Sequence, residues 1–157
     1  MAREFRNRDT GMGEHRIHLD WTRGDAPFTY EGYSRNHDIR FKNGVAVTVS
    51  AAGAYRGDPG LPDPEDLLVA ALSSCHMLSF LAICAKKRLT VESYRDDAAG
   101  FLENDNGKYW MTRVVLRPDV RFAEPPDAET LVHLHHLAHE QCFIANSVKT
   151  DVKVEPV

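Results

Sequence analysis

The sequence is poor in cysteine: its 157 residues hold three, and no two of them form a CxxC motif. The missing CxxC excludes a thioredoxin-type dithiol site. There is no excess of positive charge, since the formal net charge is −4, which argues against a nucleic-acid partner. The first residues are charged and contain no apolar segment, so we expect no export signal.

The sequence also lacks an uninterrupted apolar run of the roughly 18 to 20 residues that a membrane span needs, so we expect no membrane partner. Repeats and low-complexity segments are absent as well. Without an export signal, the cysteines predict a cytoplasmic protein in a reducing compartment, where lasting disulfides are rare. A hydrophobic content of 43% suffices for a core, so residues 1–157 are predicted to form a single domain with a polar arm at 1–16.

The predicted elements are short strands and two helices. A helix over 64–88 begins at an Asp-Pro pair and is apolar on almost every face, which is typical of a buried central helix. A second helix is predicted over 128–141, with a break near Cys142. Strands are predicted at 17–21, 28–30, 38–41, 45–50, 90–103, 109–122 and 150–155, with an Asn-Gly hairpin turn at 42–44. The order βββ-α-ββ-α-β predicts an α+β fold with mainly antiparallel pairing.

Two of the three cysteines lie in distinctive local sequences, Cys75 in the apolar helix and Cys142 in the segment AHEQCFIANS. Cys75 and Cys84 are nine residues apart on one helix, so they point to opposite faces and cannot form a disulfide. Cys142 is therefore the only intrachain partner for either. Cys84 is expected to fill the core, because free cysteine behaves as a small hydrophobe.

A reactive thiol at Cys75 would need a cation. The residue lies about three turns into the helix, beyond the reach of the positive helix N-terminus, and burial disfavours the thiolate of any cysteine. A guanidinium is the cation best suited to favour the thiolate, since it stays charged when buried. A carboxylate would be needed to orient that guanidinium and to offset its loss of hydration.

Residues 64–76, PEDLLVAALSSCH, resemble the signature of the OsmC/Ohr family of organic hydroperoxide reductases. In that family a Pro-Glu pair near the start of the central helix precedes the reactive cysteine. Glu65 and Cys75 have the family's spacing of ten residues. The segment AHEQCFIANS around Cys142 is similar to the family's second-cysteine segment.

Arg35 is nine residues before the hairpin glycine Gly44, where the family places its active-site arginine. The resemblance covers about residues 30–157, and it departs from the family in the loop at 51–62. Three nearby arginines remain alternatives for the role of Arg35: Arg23, Arg40 and Arg56.

The resemblance implies a thiol peroxidase that uses no metal or other cofactor. Cys75 thiolate would attack an organic hydroperoxide, releasing an alcohol and leaving a sulfenic acid. Cys142 would condense with it to a disulfide, which a dithiol of the lipoyl or thioredoxin type would reduce. Arg35 would hold Cys75 as thiolate, and Glu65 would orient Arg35.

Ten helical residues separate Glu65 from Cys75 by about 15 Å along one rod, so the two cannot share a site within one straight helix. We therefore expect Glu65, together with Arg35, to reach Cys75 from a second subunit. The resemblance likewise implies an intertwined homodimer, whose partner would cover the apolar central helix.

Two other functions stay open. A redox-sensing or ligand-binding module would keep the cysteines and turn over slowly. A zinc-binding structural protein is suggested by the histidines between His133 and His139, because His135, His139 and Cys142 share one helix face. His76 follows the expected nucleophile, where better-studied branches carry an apolar residue, and its role is left open.

Overall fold

Residues 13–157 are described by the computed structural model, and the predicted polar arm at 1–16 falls largely outside them. By their internal contacts the residues divide into two units, one that ends at Asp63 and one that spans Pro64–Val157. Each unit has strands of its own, and the long central helix opens the second.

The first unit contains one antiparallel sheet of three short strands, in the order β1-β2-β3. The strands are β1 (His18–Asp20), β2 (His37–Arg40) and β3 (Ala46–Val49). The chain turns between β2 and β3 at Lys42–Gly44, where Asn43 and the glycine after it take positive φ values of 62° and 77°. The hairpin predicted from the Asn-Gly pair is therefore confirmed.

The strand predicted at 28–30 is wrong, because this segment forms a turn. The backbone N–H groups of Gly32 and Tyr33 both donate to the carbonyl of Thr29, at 3.0 and 3.1 Å. The aromatic rings at the turn pack on one another, with the Phe28 and Tyr33 ring centres 5.5 Å apart. Aromatic residues favour strands, but here a turn satisfies their packing.

Ser50, just after β3, fastens the loop that follows it. Its buried hydroxyl donates to the side-chain oxygen of Asn36 at 2.8 Å and accepts from the Asp58 backbone N–H at 3.0 Å. Its own backbone N–H donates to the Pro62 carbonyl at 2.9 Å. One residue therefore holds both the middle and the end of this Gly/Pro-rich loop.

The long helix of the second unit, α1 (Pro64–Lys86), is continuous over 23 residues. Beyond its end, Arg88 takes a positive φ of 60°, and the Leu89 N–H donates to the Cys84 carbonyl at 2.9 Å. A left-handed residue with such a bond is a common way to end a helix. The helix therefore stops two residues before the predicted end.

By length and composition, α1 is also apolar enough to cross a membrane, which the sequence prediction did not anticipate. The core helix of a water-soluble protein passes the same test. Only 28% of its most apolar 18-residue window is buried within this chain.

The remaining strands are β4 (Val91–Asp96), β5 (Ala99–Asp105), β6 (Lys108–Leu116), β7 (Pro118–Phe122) and β8 (Asp151–Val154). β4 pairs with β7 and β5 pairs with β6, in both cases antiparallel, whereas β8 joins β6 in parallel. The predicted α+β fold with mainly antiparallel pairing is confirmed.

The strands predicted at 90–103 and 109–122 each divide into two strands of different sheets. The two breaks meet at one hydrogen bond, in which the Asp96 carboxylate accepts the Arg117 backbone N–H at 2.7 Å. This bond satisfies a donor that leaves the strand ladder. Asp97 and Ala98 at the first break and Pro118 at the second are residues that strands disfavour, but the prediction continued both strands through them.

The second helix, α2 (Ala128–Gln141), has the predicted bounds. The carboxylate of Asp127 caps it by accepting the Thr130 N–H at 2.7 Å, and this bond lowers the pKa of the Asp127 carboxyl group. Cys142 leaves helical geometry with a ψ of 109°, so the predicted break is confirmed.

Two apolar clusters flank the middle of α1. Near its N-terminal end, Leu72 packs with Val114 and Leu116 of β6. Near its C-terminal end, α1 packs against α2 through Phe80, Ile83, Cys84, Leu134 and Ala138. The segment 73–79 lies between these clusters, so both ends of α1 are anchored around it.

We predict that Gly57→Ala destabilises the first unit. A Cβ on Gly57 would overlap the backbone of Ala51, and such overpacking costs about 1 to 3 kcal/mol. Thermal unfolding followed by circular dichroism should show a lower midpoint. The matched control is Gly53→Ala in the same loop, where a Cβ meets nothing closer than 4.0 Å. Equal midpoints for the two variants would contradict this close approach.

Candidate functional site

Cys75 lies in the middle of α1, between the two apolar clusters, and its free thiol is half-buried. Because α1 is continuous from Pro64, Cys75 lies about three turns from the helix N-terminus. The favourable effect of a helix N-terminus on an anion fades within the first turn. The helix therefore presents this thiol without activating it.

Cys142 lies one residue past α2, and its thiol lies next to that of Cys75. The two free thiols are close enough to interact, and Cys142 is only 1% exposed. Burial raises the pKa of the Cys142 thiol, and the bond with Cys75 raises it further. The Ala145 N–H, 3.4 Å from the sulfur, acts in the opposite direction. The structure thus brings together the two cysteines singled out in the sequence.

Cys84 lies apart from this thiol pair, in the apolar cluster between α1 and α2. It is 1% exposed and packs among Phe80 and Leu134. Burial raises the pKa of its thiol. Cys84 therefore fills the core, as predicted.

Arg35 lies in the first unit, where aromatic rings and carbonyl groups hold its guanidinium. The guanidinium donates to the backbone carbonyl of Tyr33 at 2.6 Å and to that of Tyr30. Its central carbon lies 3.7 Å from the centre of the Tyr33 ring, a cation–π contact. Arg40, one of the alternatives, pairs with Asp20 at 3.3 Å. Among the described residues of the first unit, Arg40 is thus paired with a carboxylate, whereas Arg35 is held by carbonyl groups and aromatic rings.

Glu65 lies in the first turn of α1, and its side chain is half-buried. The unbroken helix places it about 15 Å from Cys75 along the axis. Within one chain the two residues therefore do not meet.

A pair of buried histidines joins α1 to α2 beside the thiols. His76, the residue after Cys75, and His135 of α2 are 1% and 3% exposed. The Nε2 atom of His76 lies 3.1 Å from the Nδ1 atom of His135. The hydrogen bond requires that one of these two nitrogens carry its proton, and the tautomers decide which one donates.

The bond between these imidazoles lies in their common plane. The ring planes differ by 7°, and the ring centres are 5.4 Å apart. A ring nitrogen lies about 1.1 Å from the centre of its own imidazole. If both rings and the 3.1 Å bond lie on one straight line, these lengths together account for nearly all of the 5.4 Å between the ring centres. The rings therefore meet edge to edge, and not face to face.

The outer nitrogens of the pair, His76 Nδ1 and His135 Nε2, are buried without a hydrogen-bond partner among residues 13–157. The same holds for His139 Nδ1 and the Tyr94 hydroxyl. Burial lowers the pKa of both His76 and His135 to about 4. Sequence reasoning did not identify this pair, and its one signal was a histidine directly after the expected nucleophile.

Within the described part of the chain, no group of three or more His, Cys, Asp and Glu side chains is arranged to hold a metal ion. Two of the residues suggested for zinc on this helix face make other contacts. His135 bonds to His76, and Cys142 contacts Cys75. This geometry does not support the zinc-binding alternative.

Comparison with known proteins relates this arrangement to a family. Residues 57–157 match the sequence model of OsmC, described as OsmC-like protein. The chain is 47% identical to an OsmC-like protein of unknown function from Vibrio cholerae, with a TM-score of 0.87. That similarity covers 93% of this chain and 100% of the other.

More distant proteins share the fold or part of the sequence. An organic hydroperoxide resistance protein from Elizabethkingia anophelis has a TM-score of 0.66 at 18% identity, covering 92% of this chain and 95% of its own. An uncharacterised protein from Bacillus subtilis is 19% identical over 126 residues, which are 78% of this chain and 84% of that protein. Because the family match covers more than half of its residues, the chain belongs to the OsmC family.

Proposed function

We propose that this protein is a thiol-dependent peroxidase that reduces organic hydroperoxides to alcohols. The observation that carries the proposal is the contact between the Cys75 and Cys142 thiols in a chain of the OsmC family. A protein of similar fold, from Elizabethkingia anophelis, is named an organic hydroperoxide resistance protein, which supports the substrate class.

The proposed cycle begins at the half-buried thiol, because a peroxide can reach it. Cys75 as thiolate attacks the terminal peroxide oxygen, the O–O bond breaks, and the alkoxide takes up a proton and leaves as alcohol. Cys75 is now a sulfenic acid, oxidised by two electrons. The Cys142 sulfur attacks the Cys75 sulfur, an S–S bond forms, and the hydroxide leaves as water with the Cys142 proton.

A dithiol reductant of the lipoyl or thioredoxin type completes the cycle. In two exchange steps it returns both cysteines to thiols and becomes a disulfide itself. The raised pKa of the Cys142 thiol supports this order of events, because it favours the protonated thiol while Cys75 meets the peroxide.

We assign the activation of Cys75 to Arg35, with Glu65 orienting its guanidinium. Since Glu65 and Cys75 are far apart on one helix, a second copy of the chain has to supply these groups, and the active form is a homodimer. The low burial of α1 within its own chain supports a partner that covers it, because an exposed apolar surface of this kind marks an interaction site.

The proposal needs no metal or other cofactor, and it places the protein in the cytoplasm. A reducing compartment of this kind supplies the dithiol that the cycle consumes. That residues 1–157 form a single domain stays a prediction.

A redox sensor is the second candidate, and the burial of Cys142 favours it. A buried thiol of raised pKa supplies little thiolate, so it would resolve the sulfenic acid slowly. A sensor would form the same disulfide and be reduced slowly, whereas an enzyme turns over.

We predict that the wild-type protein, with a dithiol reductant, consumes cumene hydroperoxide faster than hydrogen peroxide. Cys75→Ser should lower the rate at least about a hundredfold, because the nucleophile is lost. Cys84→Ala is the matched control, and its rate should stay within about twofold of wild type, since Cys84 fills the core. No turnover of either peroxide by the wild type would overturn the enzyme proposal, and a disulfide that is reduced slowly would favour the sensor.

We also predict that Arg35→Gln slows alkylation of Cys75 by iodoacetamide at pH 7 by about tenfold, because a nearby cation favours the thiolate. Peptide mass spectrometry would follow the labelled cysteine with time. Arg40→Gln is the control, since Arg40 pairs with Asp20. If only the Arg40 variant were slowed, the role would belong to Arg40.

A further inference from the structure

The His76–His135 hydrogen bond is a directional link in a mainly apolar interface. The cluster beside it, which includes Phe80 and Leu134, holds α1 to α2 by contacts without a preferred angle. The in-line bond of 3.1 Å has such a preference, because hydrogen bonds weaken steeply as they bend. Sliding or rotating either helix would therefore break it.

This link lowers the stability that the interface could otherwise have. Each outer nitrogen of the pair is buried without a partner in the described chain, so it loses its hydration and gains no bond in return. Two apolar side chains of similar size would avoid that loss. The buried pair therefore calls for a role other than stability.

The position of the link indicates that role. His76 follows Cys75 in α1, while Cys142 follows His135 by seven residues and lies just past the end of α2. In α1, Cys75 lies next to Cys142, and Phe80, five residues later, packs on His135. Because His135 precedes Cys142 in the chain, the two helices run antiparallel where they meet. One arrangement of the two helices therefore sets both the thiol contact and the imidazole contact.

We propose that the His76–His135 hydrogen bond positions the Cys75 and Cys142 thiols for disulfide formation. This inference rests on the proposed function, since it concerns the same thiol pair. Neither imidazole reacts, and both act through the helices that carry the cysteines. Positioning is sensitive, because a misplacement of about 1 Å costs about a hundredfold in rate when two groups must react.

The link also makes the site sensitive to acid. A first proton leaves one imidazolium donating to one imidazole, whereas a second proton sets two N–H groups against each other and breaks the bond. The charged groups that face the pair come from two elements, His139 of α2 and Asp96 of β4; Tyr94 of β4 packs on the same cluster. His139 opposes protonation of His76, and Asp96 favours it.

The test measures the effective concentration of the Cys75–Cys142 disulfide in a glutathione redox buffer, with Cys84→Ala as parent so that two thiols remain. Glutathione disulfide oxidises the pair and becomes two glutathione thiols, so no peroxide is used. A failed peroxidase assay therefore leaves this test intact. His76→Gln keeps a hydrogen-bonding group near the Nε2 position, and we expect an effective concentration within about threefold of the parent.

His76→Phe removes the bond but leaves His135 Nδ1 buried and unpaired, which destabilises the fold as well. The double variant His76→Phe/His135→Phe removes both partners of the bond. We expect both variants to lose about tenfold or more in effective concentration, because the sulfurs are no longer held in register. A double variant with the effective concentration of the parent would overturn the proposal.

Ile83→Val is the matched control in the same helix interface, since it loosens apolar packing and leaves the imidazole bond in place. Its effective concentration should stay within about twofold of the parent, because the directional contact is intact. If Ile83→Val lowered the effective concentration as much as the double variant, any loosening of the helix interface would have this effect. That result would contradict a positioning role for the two histidines.

The pH dependence of stability gives a readout of the buried pair itself. The pKa of both histidines is about 4 in the folded chain, against 6.5 for the free group, so stability is lost as the pH falls from 6.5 to 4. Urea titrations give the equilibrium constant for unfolding at each pH. As the pH is lowered from 6.5 to 4.5, this constant should rise by a factor about tenfold or more larger in the parent than in the double variant. An equal rise in both would contradict a neutral buried pair.

Discussion

The contact between the Cys75 and Cys142 thiols depends on how α1 crosses α2, and the surrounding structure fixes that crossing. Cys75 is fixed in the middle of a continuous helix, so its partner has to be brought to it. α2 ends just before Cys142, where the chain turns and the Asn146 N–H donates to the Cys142 carbonyl at 3.0 Å. The end of a helix, and not its side, therefore delivers the second thiol.

Burial and reactivity oppose each other at this site. Burial keeps Cys142 protonated, and Cys75 remains half-exposed where a substrate can arrive. In the proposed function, the Cys75 thiolate depends on a cation held elsewhere. Arg35 suits that task because its contacts with Tyr30 and Tyr33 already restrict the side chain, and ordering a free arginine costs entropy.

Local chemistry marks many of the element boundaries, which is why most of the fold could be predicted. The Asn-Gly turn and the cap at Asp127 are examples. The divided strands were missed although both breaks carry residues that strands disfavour, and no local pattern indicates the bond from Arg117 to Asp96, which joins positions 21 residues apart. The cysteine segments of the site were visible as motifs. The His76–His135 pair was not visible in the sequence, since its partners are 59 residues apart and the local sequence around one does not indicate the other.

Peptide mass spectrometry of the reduced protein, after one equivalent of cumene hydroperoxide, tests the central claim most directly. We expect a peptide that links Cys75 to Cys142 to appear as both free thiols disappear, with Cys84 unmodified, because only the first two thiols are in contact. Cys75 oxidised to sulfenic acid, or in part to sulfinic acid, while Cys142 stays a free thiol would contradict the claim that these two residues form one redox site.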